Sequence, residues 1–241
     1  MSDDRPERDA IIEQVFGEAL GDRAPRTRIH VIGPGDPIPA RILDWVRARI
    51  ERIADAGGFV ARYLVLVVFA VGILNVILRY WGRATDTTLV SNRWIDVQWQ
   101  LFGVLFLVGF PYGIKEKVNP RVDFWHANFT ARRKALIDFV LHTVLLLPYA
   151  IFGVRVVWPF AMSALGRRFD GTWPTWKVWT TWENSSNPNG LPVGPIKAMI
   201  VVGFVLFGLQ VIAEMIKAGF VLAGLAGEEL IEEPDVPVRI E

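Results

Sequence analysis

Long apolar runs alternate with charged blocks along this chain. The first run, Phe59 to Trp81 (FVARYLVLVVFAVGILNVILRYW), holds two arginines among 23 residues. Similar runs extend from about Trp94 to Ile114, Ala135 to Phe160 and Ile196 to Leu222. A membrane-spanning helix needs roughly 20 mostly apolar residues, because the hydrocarbon core is about 30 Å thick and each helical residue rises about 1.5 Å. A soluble domain of this length would lack the polar sequence to cover four such helices. The pattern therefore predicts an all-α integral membrane protein with four transmembrane helices. Pro148 is expected to kink the third span, and Pro111 lies near the end of the second.

The segments between the runs divide the chain further. Residues 1–40 read as a mobile tail, in which Asp9 to Leu20 has a helical apolar face and the Gly-Pro-Gly-Asp-Pro run at 33–37 stops any continuation. Residues 41–57 form a basic amphipathic pattern, with Ile42, Leu43, Val46, Ile50 and Ile53 on one face. Such a helix usually lies in the headgroup plane. Gly57-Gly58 then supplies a bend into the membrane domain, 58–222, and an acidic tail follows at 223–241. The connection between the second and third spans reads either as an interfacial helix anchored by Phe124, Trp125 and Phe129 or as an ordinary basic loop. Thr130 is placed as the N-cap of the third span. The connection before the fourth span is long and carries Trp173, Trp176, Trp179 and Trp182. Their spacing of three puts them along one drifting helical face. They read as an aromatic belt or as a contact face for a partner protein. Together with Trp45, these aromatics are the candidate interfacial anchors.

Charge fixes the expected orientation. Lys and Arg flanking the spans number ten on the side of Arg41–Arg52 and Lys115–Lys134, against six on the side of Arg79–Arg93 and Arg167–Lys177. The positive-inside rule then makes both termini cytoplasmic. The charged, Pro-rich leading residues do not resemble a secretory signal, so the first span is expected to direct insertion itself.

Composition removes whole classes of chemistry. The chain of 241 residues has no cysteine, which excludes disulfides, thiolate catalysis and cysteine-held metal clusters. A net charge of +1 argues against nucleic acid as a partner. His126 lies in a loop and His142 in a span, so no facing imidazole pair offers itself to haem. No phosphate loop, triad or metal-spaced cluster is present, and no cofactor is expected. Polar residues in the spans are expensive and need an account. Arg62 and Glu214 are expected to be close neighbours at matching depth near the cytoplasmic face, Asp96 near the outer one, with Arg79 and Arg155 ending spans one and three on that outer face. Helix-to-helix fixing and snorkelling explain them better than an ion relay does. No internal repeat or pair of broken helices marks a transport site.

Three ordered stretches resemble the small membrane subunit (DctQ type) of tripartite ATP-independent periplasmic (TRAP) transporters, in the branch labelled mannitol/chloroaromatic. They are Trp94-Ile95-Asp96-Val97-Gln98-Trp99 opening span two, Pro120-Arg121-Val122-Asp123 in the connection, and Asn189-Gly190-Leu191-Pro192-Val193-Gly194-Pro195 before span four, with Gln210 and Glu214 further on. The resemblance covers about 59–217. Asn119 stands about where the family commonly has His, and Asp96 where Glu is usual.

The resemblance implies a non-catalytic subunit in the bacterial inner membrane. It would scaffold a large membrane subunit that carries substrate and sodium sites. A periplasmic binding protein would deliver the substrate, usually an organic acid. Candidate subunit-interface or structural residues are Arg62, Asp96, Gln98, Trp99, Arg121, Asp123, Gln210 and Glu214. Span two and the interfacial segments are expected to brace the large subunit. The alternatives are a stand-alone membrane enzyme or redox protein, which would need polar groups converging within the bilayer, and a small oligomeric channel, which would need a polar stripe along one helix.

Overall fold

A computed structural model describes residues 32–33, 35–87, 89–117 and 129–226. Helix α1 runs Ile38–Ala84, α2 Asn92–Lys115, and α3 Ala131–Leu141. A π-helical turn, His142–Leu146, joins α3 to α4 (Leu147–Ala164), and α5 is Gly194–Leu222. Four helices, counting the joined α3–α4 as one, are long and apolar enough to cross a membrane. Among the described residues there is no strand, only an isolated bridge between Asn184 and Pro192. This is a multi-pass, all-helical membrane protein.

Helix α5 is the centre of the bundle, packing against α1, α2, α3 and α4. A third of its most apolar stretch (33%) is enclosed by the rest of the chain, against 6% for α1 and for α2. Many apolar side chains on those outer helices, such as Leu66, Phe69 and Phe106, face outward. That is the expected state of a surface bathed in lipid. Close approach is bought with small residues. A Cβ on Gly153 would fall 2.3 Å from the Phe204 ring, and one on Gly203 2.5 Å from Leu107.

The first helix departs from expectation. The helix is not interrupted at Gly57-Gly58; α1 continues for 47 residues, about 70 Å at 1.5 Å per residue. The two glycines serve packing instead. A Cβ on Gly57 would sit 2.4 Å from the Val108 carbonyl oxygen, and one on Gly58 2.4 Å from the Tyr112 ring. The amphipathic stretch therefore continues the span axis and lies along the last turns of α2 and α5, with Ile50, Ile53 and Ala54 beside Val108, Pro111 and Leu209. Its start is where the breaker predicts: a turn at 33–36 is closed by the Asp36 N–H donating to the Gly33 carbonyl at 3.2 Å. Ile32 then packs on Ala40 and Phe220, with Leu225 and Ala226 alongside, so both ends of the described chain meet at one end of the bundle.

The third span carries a π turn, His142–Leu146, immediately before the turn that holds Pro148. Pro148 has no N–H to donate to the carbonyl four residues back, which removes one α-helical bond. The Leu147 N–H instead reaches the His142 carbonyl, five residues back. Thr143 adds a side-chain bond to the Phe139 carbonyl at 2.7 Å, a contact that bends helices. Thr130 occupies the N-cap position of α3 with extended backbone, but its hydroxyl makes no capping bond. Helix α2 contains Pro111 near its end, as expected.

Candidate functional site

Two polar constructions hold opposite ends of the bundle. The first is built on the opening turns of α2. Asn92, Arg93, Asp96 and Gln100 recur near helical spacing, so they share one face. That face grips the loop before α5. The Arg93 Nε donates to the Asn189 carbonyl at 2.9 Å and the Gln100 Nε2 to the Pro192 carbonyl at 3.1 Å. Asp96 is the centre of the grip and has no exposed surface. Its carboxylate accepts from the Leu191 N–H (2.9 Å), the Asn187 Nδ2 (2.7 Å), the Trp99 Nε1 (3.1 Å) and the Ser185 Oγ (3.2 Å). These are donors from neutral groups, so the carboxylate is solvated by the loop instead of being ion-paired. Gly190 lies so close that a Cβ would be 2.7 Å from Asp96 Oδ2. Ser185, Asn187 and Leu191 of the turn-rich loop, with Trp99 of α2, are thus the ligands of this carboxylate.

The rest of the loop before α5 is irregular. The four tryptophans do not lie along a helix; the only helical piece in this loop is a 3-10 turn at Val178–Thr180. Trp176 and Trp179 meet edge to face at 5.9 Å, with the Lys177 ammonium over the Trp176 ring at 5.1 Å. Trp173, Trp176 and Trp179 are exposed, whereas Trp182 turns inward against Gly194. Helix α4 ends on Gly166 with φ +91, and a side chain there would collide with Thr181. The Thr172 hydroxyl and N–H donate to Asp170 and hold that carboxyl below the usual carboxylate range.

The second construction lies at the other end, where α1 extends along α5. Arg47 donates through Nη2 to Asp44 at 2.6 Å and through Nη1 to Glu51 at 2.9 Å. Lys217 reaches Glu51 at 3.0 Å and Glu214 at 2.7 Å. Gln210, fully buried, donates its Nε2 to Glu214 at 2.9 Å. Lys115 pairs with Asp55 nearby. Three carboxylates and two cations thus form one chain of contacts, Asp44–Arg47–Glu51–Lys217–Glu214, that ties α1 to α5.

This corrects the pairing of Arg62 with Glu214. Matching depths assumed that the first span starts at Phe59. Because α1 is continuous, the residue level with Lys217 is Glu51, and Arg62 lies 11 residues, about 16 Å, further along. Arg62 is exposed. Arg155 differs too: with Ala164 beside Gly194 and Gly153 beside Phe204, it sits well inside the bundle's length instead of at its outer face.

Gln98 faces away from the Asp96 grip, its Nε2 2.9 Å from where a Gly72 Cβ would stand. Trp45 is exposed under the Arg49 guanidinium, 5.0 Å from its ring centroid. Arg121, Asp123, Phe124, Trp125 and His126 lie outside the described residues, as do His30 and the 9–20 segment. No group of His, Asp or Glu able to hold a metal occurs among the described residues.

Comparison with known proteins decides the family. The family model described as "Tripartite ATP-independent periplasmic transporters, DctQ component" matches residues 68–219. The chain belongs to this family. No curated protein and no solved structure matches it. The match takes in α2 to α5 and the Asp96 grip. It starts after Gly58, so the α1 side of the ion chain, Asp44 to Glu51, precedes it. DctQ proteins are transporter components, and this one is accordingly a small TRAP subunit of the membrane.

Proposed function

We propose that this DctQ protein scaffolds the large membrane subunit of a sodium-coupled transporter for organic acids and performs no transport or catalysis itself. The family match carries the reading. The geometry is in keeping with it: the most buried carboxylate, Asp96, is saturated by its own loop, and Glu214 and Lys217 neutralise each other. Neither polar construction offers open coordination to a solute. The partners are the large subunit and, through it, a periplasmic binding protein.

In this reading both termini are cytoplasmic and the membrane is the bacterial inner membrane. The packing of Ile32 and Ala40 on Phe220 supports a shared side for the two ends, and the excess of Lys and Arg there supports the cytoplasm. The motifs at Trp94–Trp99 and Pro120–Asp123 favour the mannitol/chloroaromatic branch. Reconstitution tests the function. In liposomes with a sodium gradient and binding protein, uptake is expected with both membrane subunits and with neither alone. Uptake by this chain alone would sink the proposal. Because the chain has no native cysteine, single cysteines placed at Trp173 and Arg132 report the orientation by labelling from opposite sides.

A further inference from the structure

The opening of α1, residues 38–56, carries an apolar stripe left exposed by the rest of the described residues. Ile38, Ile42, Trp45 and Ile53 recur at helical spacing on the side away from α5, opposite the buried Ala40, Arg47 and Ala54. Ile38 is 71% exposed and Trp45 60%. Arg41, Arg49 and Arg52 share that side. Arg49 lies over the Trp45 ring, and none of the three makes an ion pair among the described residues. Acyl chains are not the cover. To fit a bilayer of about 45 Å, the 47-residue α1, about 70 Å long, would need a tilt of roughly 50°, beyond the range of about 0–40° that spans adopt. One end therefore projects. Residues 38–56 hold seven charged side chains and 59–81 only two, so the projecting end is the one with the stripe.

A segment of the same chain, outside the described residues, has the complementary pattern. Residues 9–20 place Ile11, Ile12, Val15, Phe16, Ala19 and Leu20 on one helical face, bordered by Asp9, Glu13 and Glu18, with no Lys or Arg. As a helix they would be about 18 Å long, against about 22 Å of rise from Ile38 to Ile53. The chain also starts from the right place. Ile32 is held on Ala40 and Phe220. The stretch from there back to Leu20 reaches up to about 40 Å. Half the girth of a helix about 11 Å across is only about 17 Å, so the segment can pass round α1 to its far side.

We infer that residues 9–20 cover this stripe in cis, as a helix laid apolar face to apolar face along 38–53, with its carboxylates toward Arg41, Arg49 and Arg52. The inference is independent of the scaffold reading. Opposite charges beside a shared apolar seam are what set partner choice between paired helices.

The test uses the full chain in nanodiscs. The chain has no native cysteine, so Ile42→Cys supplies a single thiol. A charged maleimide should label it about tenfold faster once residues 2–22 are deleted, because a tethered segment at millimolar effective concentration keeps the site mostly closed. Glu13→Lys/Glu18→Lys keeps the chain length and should give about a threefold rise, as should salt at about 1 M. Trp173→Cys, at the other end of the bundle, should label at one rate in the deleted and the charge-reversed chains, which shows that the bundle stays folded. A benzophenone amino acid at position 45 should form adducts within residues 9–20 of the same chain. An Ile42→Cys rate that is equal with and without the segment overturns the inference. So do position-45 adducts to phospholipid, which would make the bilayer surface the cover, or to a second polypeptide.

Discussion

Lys217→Met removes the one cation that Glu51 and Glu214 share. Lys217 and Glu214 keep only 9% and 10% of their side-chain surface, and Glu51 keeps 17%, so water replaces little of what is lost. Breaking a buried pair costs about 3–5 kcal/mol, because the surviving charge stays buried without compensation. Here two carboxylates are orphaned, but Arg47 still serves Glu51 and Gln210 still donates to Glu214. The expected loss is therefore about 4 kcal/mol, near a thousandfold in the folding equilibrium. Reversible denaturant unfolding in micelles, followed by tryptophan fluorescence, measures it. The triple variant Lys217→Met/Glu51→Gln/Glu214→Gln removes the stranded charges and should recover most of the loss, since neutral packing replaces buried ion pairs at little cost. A single variant within about 1 kcal/mol of wild type refutes the reasoning, as does a triple variant no more stable than the single.

Further predictions concern packing and the loop. Asp96→Asn turns an acceptor toward Leu191 into a donor, so the Leu191 amide should exchange with deuterium about tenfold faster; unchanged exchange would show that the grip is not what holds the loop. Gly57→Ala meets the Val108 backbone, which cannot swing aside, and should cost about 1–3 kcal/mol in the same unfolding assay. Gly166→Ala strains a left-handed residue against Thr181, and heightened protease cleavage near 166–181 in detergent is the readout.

The four apolar runs were legible because a membrane span is a local property of about 20 residues. What was not legible is tertiary. Gly57-Gly58 looks like a hinge by composition, and only the neighbours Val108 and Tyr112 reveal that the missing side chains serve close approach. The tryptophans at 173, 176, 179 and 182 have helical spacing, but Pro174, the turn at Gly171 and the clamp on residues 185–191 impose a loop instead. Asp96 stood out as a costly group early in the second span. Its ligands lie some 90 residues later, and no spacing rule connects them. The Asp44–Arg47–Glu51 spacing did carry a signal, since i, i+3 and i+4 charges of alternating sign form a ladder on a helix. Its continuation through Lys217 required knowing that α1 runs unbroken past Gly57-Gly58.

Lipid offers helices little reason to prefer each other over the surrounding chains, so a membrane bundle needs specific contacts to have one shape. This chain places them at its two ends. One end is closed by a buried carboxylate that draws a distant loop onto α2, and the other by an ion chain that fixes α1 to α5. Between them lie glycine contacts, such as Gly153 on Phe204 and Gly203 on Leu107, which tolerate no sliding because the facing side chains already occupy the space of a Cβ. A bundle pinned at both ends and keyed in the middle resists shear between its helices. Such rigidity is what the scaffold role proposed above would require. It also predicts that loosening either end, by Asp96→Asn or by Lys217→Met, should impair uptake by the complete transporter even where the subunits still co-purify. Normal uptake by an assembled complex carrying both changes would separate rigidity from function and remove this account of the scaffold.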